Sequence, residues 1–179
     1  MIHVALLRGI NLGSKRRVAM ADLRSWVTDL GYTDVRTLLQ SGNAAFRTNK
    51  KAATVRTELE SALAEGAGFT VDVVLRTAPE LRAVVDADPL GEFVTDPARY
   101  VVSFLDAPGK WPEIDAAAYE PERVHLAERE AYFWLPGGQM KSPILAAFPT
   151  RKGEVATVRN WNTVTKLLAM AEEQVRSGR

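Results

Sequence analysis

The chain has 179 residues, of which 46% are hydrophobic and 25% are charged, proportions that are typical of a folded globular protein. It contains no cysteine, which excludes disulfide bonds, thiolate nucleophiles and thiolate metal ligands and is consistent with a cytoplasmic protein. Its longest apolar runs have the length of a strand, so the sequence predicts neither a membrane-spanning helix nor a membrane partner.

The charge of the chain is unevenly distributed along it. Residues 1–50 carry a net charge of +5, residues 51–140 carry −8 and residues 141–179 carry +4. Each basic end contains a run of cationic and amide side chains, at residues 8–17 and 157–163. If the fold brings these two runs together, they form one electropositive site, which favours an anionic ligand.

The hydrophobic pattern of the first half predicts the element order β-α-β-β-α-β. Alternating apolar residues predict strands, and apolar residues three and four apart predict helices. The predicted elements are a strand at 2–8, a helix at 20–30, strands at 35–40 and 44–48, a helix from Val55 to Gly66 or Gly68, and a strand at 71–75. Ser41-Gly42-Asn43 predicts a hairpin between the second and third strands. This order is that of the ferredoxin-like split motif.

The boundary between two domains is predicted after this first set of elements. The capping box Thr77-Ala78-Pro79-Glu80 predicts the start of a short helix. The stretch that follows contains Pro89, Gly91 and Pro97, which interrupt regular structure. The predicted organisation is an N-terminal ferredoxin-like half at 1–88, a linker at 89–97, and a C-terminal half with a terminal helix at 98–179.

The second half predicts the same order of elements. They are strands at 100–105, 123–127, 131–135 and 154–158, short helices at 111–118 and 142–148, and a terminal helix at 161–175. The fold class is therefore α+β, with two tandem ferredoxin-like (βαββαβ) halves and a C-terminal helix. No internal sequence repeat is visible between the halves.

The N-terminal basic run has the composition of an anion-binding loop. Gly9 and Gly13 lie between a strand and a helix, where glycine lets backbone N–H groups turn toward an anion, and Lys15 adds a full charge nearby. The run is not a Walker motif, because only three residues separate the glycines and Ser14 precedes Lys15. The alternative is a solvated basic loop that uses its glycines for turning.

Two further polar runs each allow a structural and a functional interpretation. Asn160 can cap the helix that begins at Trp161, and Arg159 then lies beside a helix start, where an anion is favoured. In the hairpin Gln40-Ser41-Gly42-Asn43, turn geometry explains Gly42 and Asn43 but not Gln40.

The aromatic residues of the second half suggest another surface. Tyr100, Val102 and Phe104 share one strand face, as do Tyr132 and Trp134, and an open face of this kind resembles an RNA-binding platform. The RNP1 pattern is absent and the segment is acidic, so the alternative is a face that packs against the other half or a second subunit. Standard catalytic sets and metal-ligand spacings are also absent, since both histidines stand alone within strands.

Three runs of the chain resemble the signature runs of a known family. Residues 6–13 (Leu-Leu-Arg-Gly-Ile-Asn-Leu-Gly), 39–43 (Leu-Gln-Ser-Gly-Asn) and 157–164 (Thr-Val-Arg-Asn-Trp-Asn-Thr-Val) look like those of the bacterial domain of unknown function 1697 family. The resemblance covers essentially the whole chain and implies a two-part α+β protein with ferredoxin-like halves, without an established activity. It makes candidate ligand-binding residues of Arg8, Asn11, Lys15, Gln40, Ser41, Asn43, Arg159, Asn160 and Asn162. The family often has a glycine where Ser14 stands, so a positive φ at this position would strain the serine.

Four functions follow as hypotheses. The first is the binding of a phosphorylated small molecule or nucleotide at a site formed by the chain ends. The second is the binding of single-stranded nucleic acid through a sheet face. The third is an enzyme in which Arg8, Lys15 or Arg159 stabilises developing negative charge, although no general base or nucleophile is evident. The fourth is a protein-interaction module. No cofactor is expected, and the sequence predicts no oligomeric state.

Overall fold

The computed structural model describes residues 1–178, which form two four-stranded antiparallel sheets and five α-helices. The elements of the first half are β1 (Ile2–Leu7), α1 (Met20–Asp29), β2 (Thr33–Thr37), β3 (Asn43–Arg47), α2 (Ala52–Ala67), β4 (Val73–Thr77) and α3 (Ala78–Ala87). Those of the second half are β5 (Tyr100–Leu105), β6 (Arg123–Leu126), β7 (Glu130–Trp134), α4 (Pro143–Ala146), β8 (Ala156–Asn160) and α5 (Trp161–Ser177). The prediction of two tandem ferredoxin-like halves with a C-terminal helix is confirmed.

Both sheets have the strand order expected of a ferredoxin-like half. The first sheet runs β2-β3-β1-β4 and the second runs β6-β7-β5-β8, so the first and third strands of each half are central. In the first half, alternate residues of β1, such as Ala5 and Leu7, pack against Leu23 of α1 and Leu59 of α2. The alternation that identifies these strands therefore also decides which of their side chains enter the helix-covered core.

Local signals set the helix boundaries. Gly31 (φ +80°) follows α1 and Gly68 (φ +76°) ends α2, in the left-handed conformation that glycine adopts most readily. The predicted capping box begins α3, since the Thr77 N–H donates to Glu80 Oε2 (2.7 Å) and the Glu80 N–H donates to Thr77 Oγ1 (3.4 Å). None of the helices within residues 1–178 has the length and hydropathy needed to cross a membrane.

One predicted helix is largely wrong. Residues 111–118 were expected to be helical, but only a short 3-10 turn forms, at Ala116–Tyr119. Proline disfavours helical geometry at the residue before it, so Pro112 disfavours a helix that includes Trp111. Asp115 begins the turn instead, its side chain accepting from the Ala117 N–H at 3.1 Å.

Strand register exposes an internal correspondence between the halves. Val4 of β1 lies opposite Arg76 of β4, and Val102 of β5 lies opposite Arg159 of β8. The same alignment matches further identical residues, namely Leu7 with Leu105, Ala44 with Ala131 and Phe46 with Phe133. Each half then continues from its fourth strand directly into a helix, α3 or α5. The two predicted halves thus share identical residues at equivalent strand positions, while no repeat is visible along the sequence itself.

The chain divides into two compact units. Unit 1 contains Met1–Arg82 together with the chain from Leu167 onward, and unit 2 contains Ala83–Lys166. The helix α5 thus begins in unit 2 and ends in unit 1. In unit 1 the buried Gln174 side-chain amide donates to the carbonyl oxygens of Asp34 and Ala45, and the Gln174 backbone carbonyl accepts from Arg47. The predicted linker boundaries stay predictions.

Candidate anion-binding loop

The connection between β1 and α1, residues 8–19, is here called the basic loop. It contains Arg8, Lys15, Arg16 and Arg17 and no acidic residue, so its net charge is +4. The side chains of Lys15 and Arg17 are exposed, and neither has a hydrogen-bond or ion-pair partner within residues 1–178. These two residues therefore present cationic groups to solvent.

Asn11 fixes the shape of the basic loop. Its side-chain amide donates to the carbonyl oxygens of Val18 (2.9 Å) and Gln40 (2.7 Å), and its Oδ1 accepts from the Val18 N–H (2.9 Å). Asn11 is left-handed (φ +54°), a conformation that asparagine tolerates better than most residues. The predicted site residue Asn11 thus closes the loop and joins it to the β2–β3 turn, with its side chain already in use.

Arg16 is the second residue that holds the basic loop in place, a role that its position in the sequence does not predict. Its guanidinium donates to the carbonyl oxygens of Gly9 (2.8 Å) and Thr70 (2.6 Å) and lies 4.7 Å from the centre of the Phe69 ring. Within the run Lys15-Arg16-Arg17, the middle cation holds the loop and the outer two are free. Three adjacent basic residues carry no signal that distinguishes these roles.

The backbone of the basic loop has an unusual alternation. Gly9, Asn11 and Gly13 have φ values of +67°, +54° and +67°, whereas the residues between them have negative φ. Alternation of left- and right-handed residues is typical of backbone concavities that present N–H groups to an anion. Ser14 has no positive φ, so the strain considered for it is absent.

The β2–β3 turn, residues 38–42, lies beside this loop. The buried Asn43 side chain donates to the Leu38 carbonyl (2.7 Å) and to Ser41 Oγ (3.1 Å), which gives this predicted site residue a structural contact. A side chain at Gly42 would be strained, because φ is +86° and a Cβ would lie 2.6 Å from Ile10 Cδ1 and 3.0 Å from Leu7 Cβ. Gln40 and Ser41 are exposed beside the Asn11 contact.

The charge of Arg8, the first residue of the basic loop, is partly neutralised by Asp72. Its Nη1 lies 3.7 Å from Asp72 Oδ2, and both side chains remain about two-fifths exposed (39% and 43%). An ion pair of this length and exposure contributes little to stability. The Arg8 guanidinium therefore remains accessible to a second anion.

The remaining predicted site residues, Arg159, Asn160 and Asn162, lie in unit 2. The predicted helix cap is confirmed, since Asn160 Oδ1 accepts from the Thr163 N–H at 3.0 Å. Trp161 stacks on Tyr100 with ring centres 4.6 Å apart, and Asn162 is exposed in the first turn of α5. That this group and the basic loop share one ligand stays a prediction.

Arg159 is buried rather than presented to solvent. Burial lowers the pKa of its guanidinium to about 10, which still leaves the group charged at neutral pH. Its Nη1 donates to Thr157 Oγ1 (2.8 Å) and to the Val158 carbonyl (2.9 Å). Arg76, its counterpart in unit 1, is also buried and donates to the Leu75 carbonyl (2.7 Å). A contact made in both halves indicates a structural role in the fold.

The aromatic face of unit 2 does not form an open platform. Tyr100, Phe104, Tyr132 and Trp134 are all buried, with at most 6% of each residue exposed. The Tyr132 hydroxyl donates to the Val84 carbonyl (3.2 Å). These rings are unavailable for stacking on bases. Within residues 1–178 no three histidine, aspartate or glutamate side chains are grouped so that they could hold a metal ion.

Comparison with known proteins identifies the family. A family model described as "Protein of unknown function (DUF1697)" matches residues 1–132. The chain belongs to the DUF1697 family. No curated protein matches it. A conserved bacterial protein of known structure, SP0830 from Streptococcus pneumoniae, is 23% identical, covering 95% of this chain and 98% of its own, with a TM-score of 0.68. At that identity the likeness shows a shared fold alone.

The family match covers the two candidate groups unequally. In this DUF1697 protein the matched residues include the basic loop and the β2–β3 turn, whereas Arg159, Asn160 and Asn162 lie beyond them. The predicted family is thus confirmed over a match that contains the first two runs, at 6–13 and 39–43, while the third run, at 157–164, lies outside it.

Proposed function

We propose that the protein binds an anionic, phosphorylated ligand at the basic loop. Lys15 and Arg17 supply the charged contacts, and the exposed side chains of Gln40 and Ser41 supply hydrogen bonds. Asn11 and Arg16 position the loop. A cytoplasmic location is part of this proposal, in keeping with the absence of cysteine.

The observation that carries the proposal is a difference between equivalent loops. Residues 106–115 connect β5 to the following helical turn, in the position that the basic loop occupies in the first half, and their net charge is −2. A ferredoxin-like half therefore folds without four cations at this connection. Charge that the fold does not require is a candidate for function.

The expected affinity is moderate. Two unit charges 4 Å apart in water interact by about 1 kcal/mol, and by several-fold more where the surroundings exclude water. Two free cations together with the exposed side chains of Gln40 and Ser41 can therefore hold a phosphate group without a deep site. Added salt should weaken this binding, because exposed charges are screened.

The test is thermal unfolding with inorganic phosphate, pyrophosphate, nucleoside monophosphates and sugar phosphates. A ligand at a hundredfold excess over its dissociation constant stabilises the folded state by about 2.7 kcal/mol. We expect one of these compounds to raise the unfolding temperature, and Lys15→Ala/Arg17→Ala to abolish that rise while leaving the ligand-free protein as stable as before. Arg16→Ala should lose both binding and stability.

The matched control is Lys110→Ala, which removes an exposed cation from residues 106–115. It should leave the ligand-induced rise intact. The proposal is wrong if no compound shifts the transition, or if Lys110→Ala reduces the shift as much as the double variant does. A short single-stranded oligonucleotide belongs in the panel, and a shift with it alone, lost steeply in salt, would favour nucleic acid instead.

A further inference from the structure

Two exposed leucines lie beside the free cations of the basic loop. Leu12 is 72% exposed and Leu39 is 49% exposed. Leu12 follows Asn11 and Leu39 precedes Gln40, the two residues joined by the 2.7 Å bond from Asn11 Nδ2 to the Gln40 carbonyl. We call this pair of side chains the leucine tip.

The conformation of Leu39 makes its exposure notable. Its φ is +60°, in the left-handed region where a leucine is strained and a glycine or asparagine would be comfortable. Because the Leu39 side chain is largely exposed, packing within the fold does not offset this backbone strain. An outlier of this kind points to a role outside the fold.

The charges around the leucine tip indicate what could cover it. Lys15 and Arg17 are exposed and free, and the acid that contacts the basic loop, Asp72, is paired with Arg8. An apolar tip surrounded by cations complements a surface that is anionic outside and apolar beneath. Anionic phospholipid bilayers have this layering.

Nucleic acid fits the same surface less well. Single strands are bound largely by stacking of bases on aromatic rings, and leucine has no such face. Phe69, the ring beside the basic loop, already carries the Arg16 guanidinium at 4.7 Å.

We infer that the leucine tip and the free cations dock the protein reversibly on an anionic phospholipid surface, with Leu12 and Leu39 entering the acyl boundary. The inference rests on the proposed function for its charged contacts, since the phosphate of a lipid headgroup is then the bound anion. It departs from the expectation of no membrane partner, because surface docking needs no spanning helix.

The experiment is co-sedimentation of the full chain with vesicles of phosphatidylcholine alone and with vesicles that also contain phosphatidylglycerol. We expect binding to the anionic vesicles only. Leu12→Ser and Leu39→Gly should each weaken the partition coefficient about tenfold, and Lys15→Ser/Arg17→Ser should weaken it about thirtyfold.

Two features of the chain keep this test interpretable. Leu39→Gly removes the strained left-handed leucine, so loss of binding in that variant is not explained by misfolding. Met140 is 99% exposed and belongs to unit 2, so Met140→Ser removes an exposed apolar side chain that is not part of the leucine tip or the basic loop. It should change vesicle binding by less than about twofold.

The outcomes separate the two proposals. The docking inference is overturned if anionic vesicles are not bound, if neutral vesicles bind equally, if the leucine variants bind like the wild type, or if an oligonucleotide and not the vesicles shows leucine dependence. Thermal shifts with inorganic phosphate and sugar phosphates on the same preparations test the proposed function separately. A phosphate-dependent shift without vesicle binding would leave that function standing and remove the docking surface.

Discussion

In each half, a side chain joins the loop after the first strand to the turn between the second and third strands, but the two halves use different residues. In the first half, the Asn11 side chain joins the loop after β1 to the Gln40 carbonyl in the β2–β3 turn. In the second, the Trp111 indole N–H joins the loop after β5 to the Ala127 carbonyl in the β6–β7 turn, at 2.8 Å. Both halves have this hydrogen bond between loop and hairpin, but only the first makes it within a strongly basic loop. The tie belongs to the fold and the charge is an addition to it.

The junction of the fourth strand with the following helix shows the opposite case. Arg76 and Arg159 occupy the same register, and each donates to the carbonyl of the residue before it. The next residue, Thr77 or Asn160, caps a helix in both halves. A run that looks distinctive in the sequence can therefore be a repeated structural device.

The largest expected effect tests this equivalence. Arg76→Ala and Arg159→Ala should each lower the free energy of unfolding by about 3 kcal/mol, because each removes a buried donor and leaves a carbonyl without its partner. Urea unfolding monitored by circular dichroism measures both. If Arg159→Ala is neutral while Arg76→Ala is destabilising, the two arginines are not equivalent, and Arg159 returns as a binding candidate.

A smaller effect distinguishes the two ties. Asn11→Ala removes three hydrogen bonds and should destabilise the protein by about 2 kcal/mol. Trp111→Phe keeps a ring and removes one bond, so about 1 kcal/mol is expected. Unfolding midpoints of the two variants measured side by side decide the order. A larger loss of stability for Trp111→Phe would contradict this order and would mean that the second half depends more on its loop-to-hairpin hydrogen bond.

The smallest expected effect on stability comes from His3, whose counterpart in the second half is a valine. His3 of β1 corresponds to Val101 of β5, is 1% exposed and stacks on Phe46 at 6.0 Å. Neither ring nitrogen has a hydrogen-bond partner in the described structure. Burial lowers the pKa of His3 below its usual 6.5, and the nearby amino terminus acts in the same direction while Glu80 opposes it.

The sign of the resulting pH dependence follows from linkage. The unfolded chain binds this proton more readily, so the contribution of His3 to stability is lost as the pH falls through about 6.5 and below. His3→Val, which borrows the residue of the second half, should remove a slope of at most about 1.4 kcal/mol per pH unit. Urea midpoints of both proteins at pH ~7.5 and ~5.5 check this. Parallel pH curves for the two would contradict it.

The sequence predicts correctly those features that depend on residues close together in the chain. The Thr77–Glu80 capping box, the Asn160 cap and the hairpin at Gly42 all involve residues within a few positions of each other. The family assignment also follows from the sequence, because its signature runs are contiguous.

What the sequence does not predict depends on tertiary placement. Arg16 reaches the Thr70 carbonyl, which lies 54 residues along the chain, so its positioning role has no local signature. The correspondence between the halves is not visible in the sequence, because the identical residues occur singly and are separated by different numbers of residues in different strands. In the sequence Leu12 and Leu39 are two separate apolar residues, and nothing local distinguishes an exposed leucine from a buried one.

The division of α5 between the units has a consequence for how the protein is made. Unit 1 holds the first four strands to leave the ribosome, but it also includes the α5 residues from Leu167 onward, among them Gln174. The whole of Ala83–Lys166 is translated before those residues exist. The N-terminal unit must therefore wait, with the carbonyl oxygens of Asp34 and Ala45 without their final donor, until synthesis has passed through the other unit.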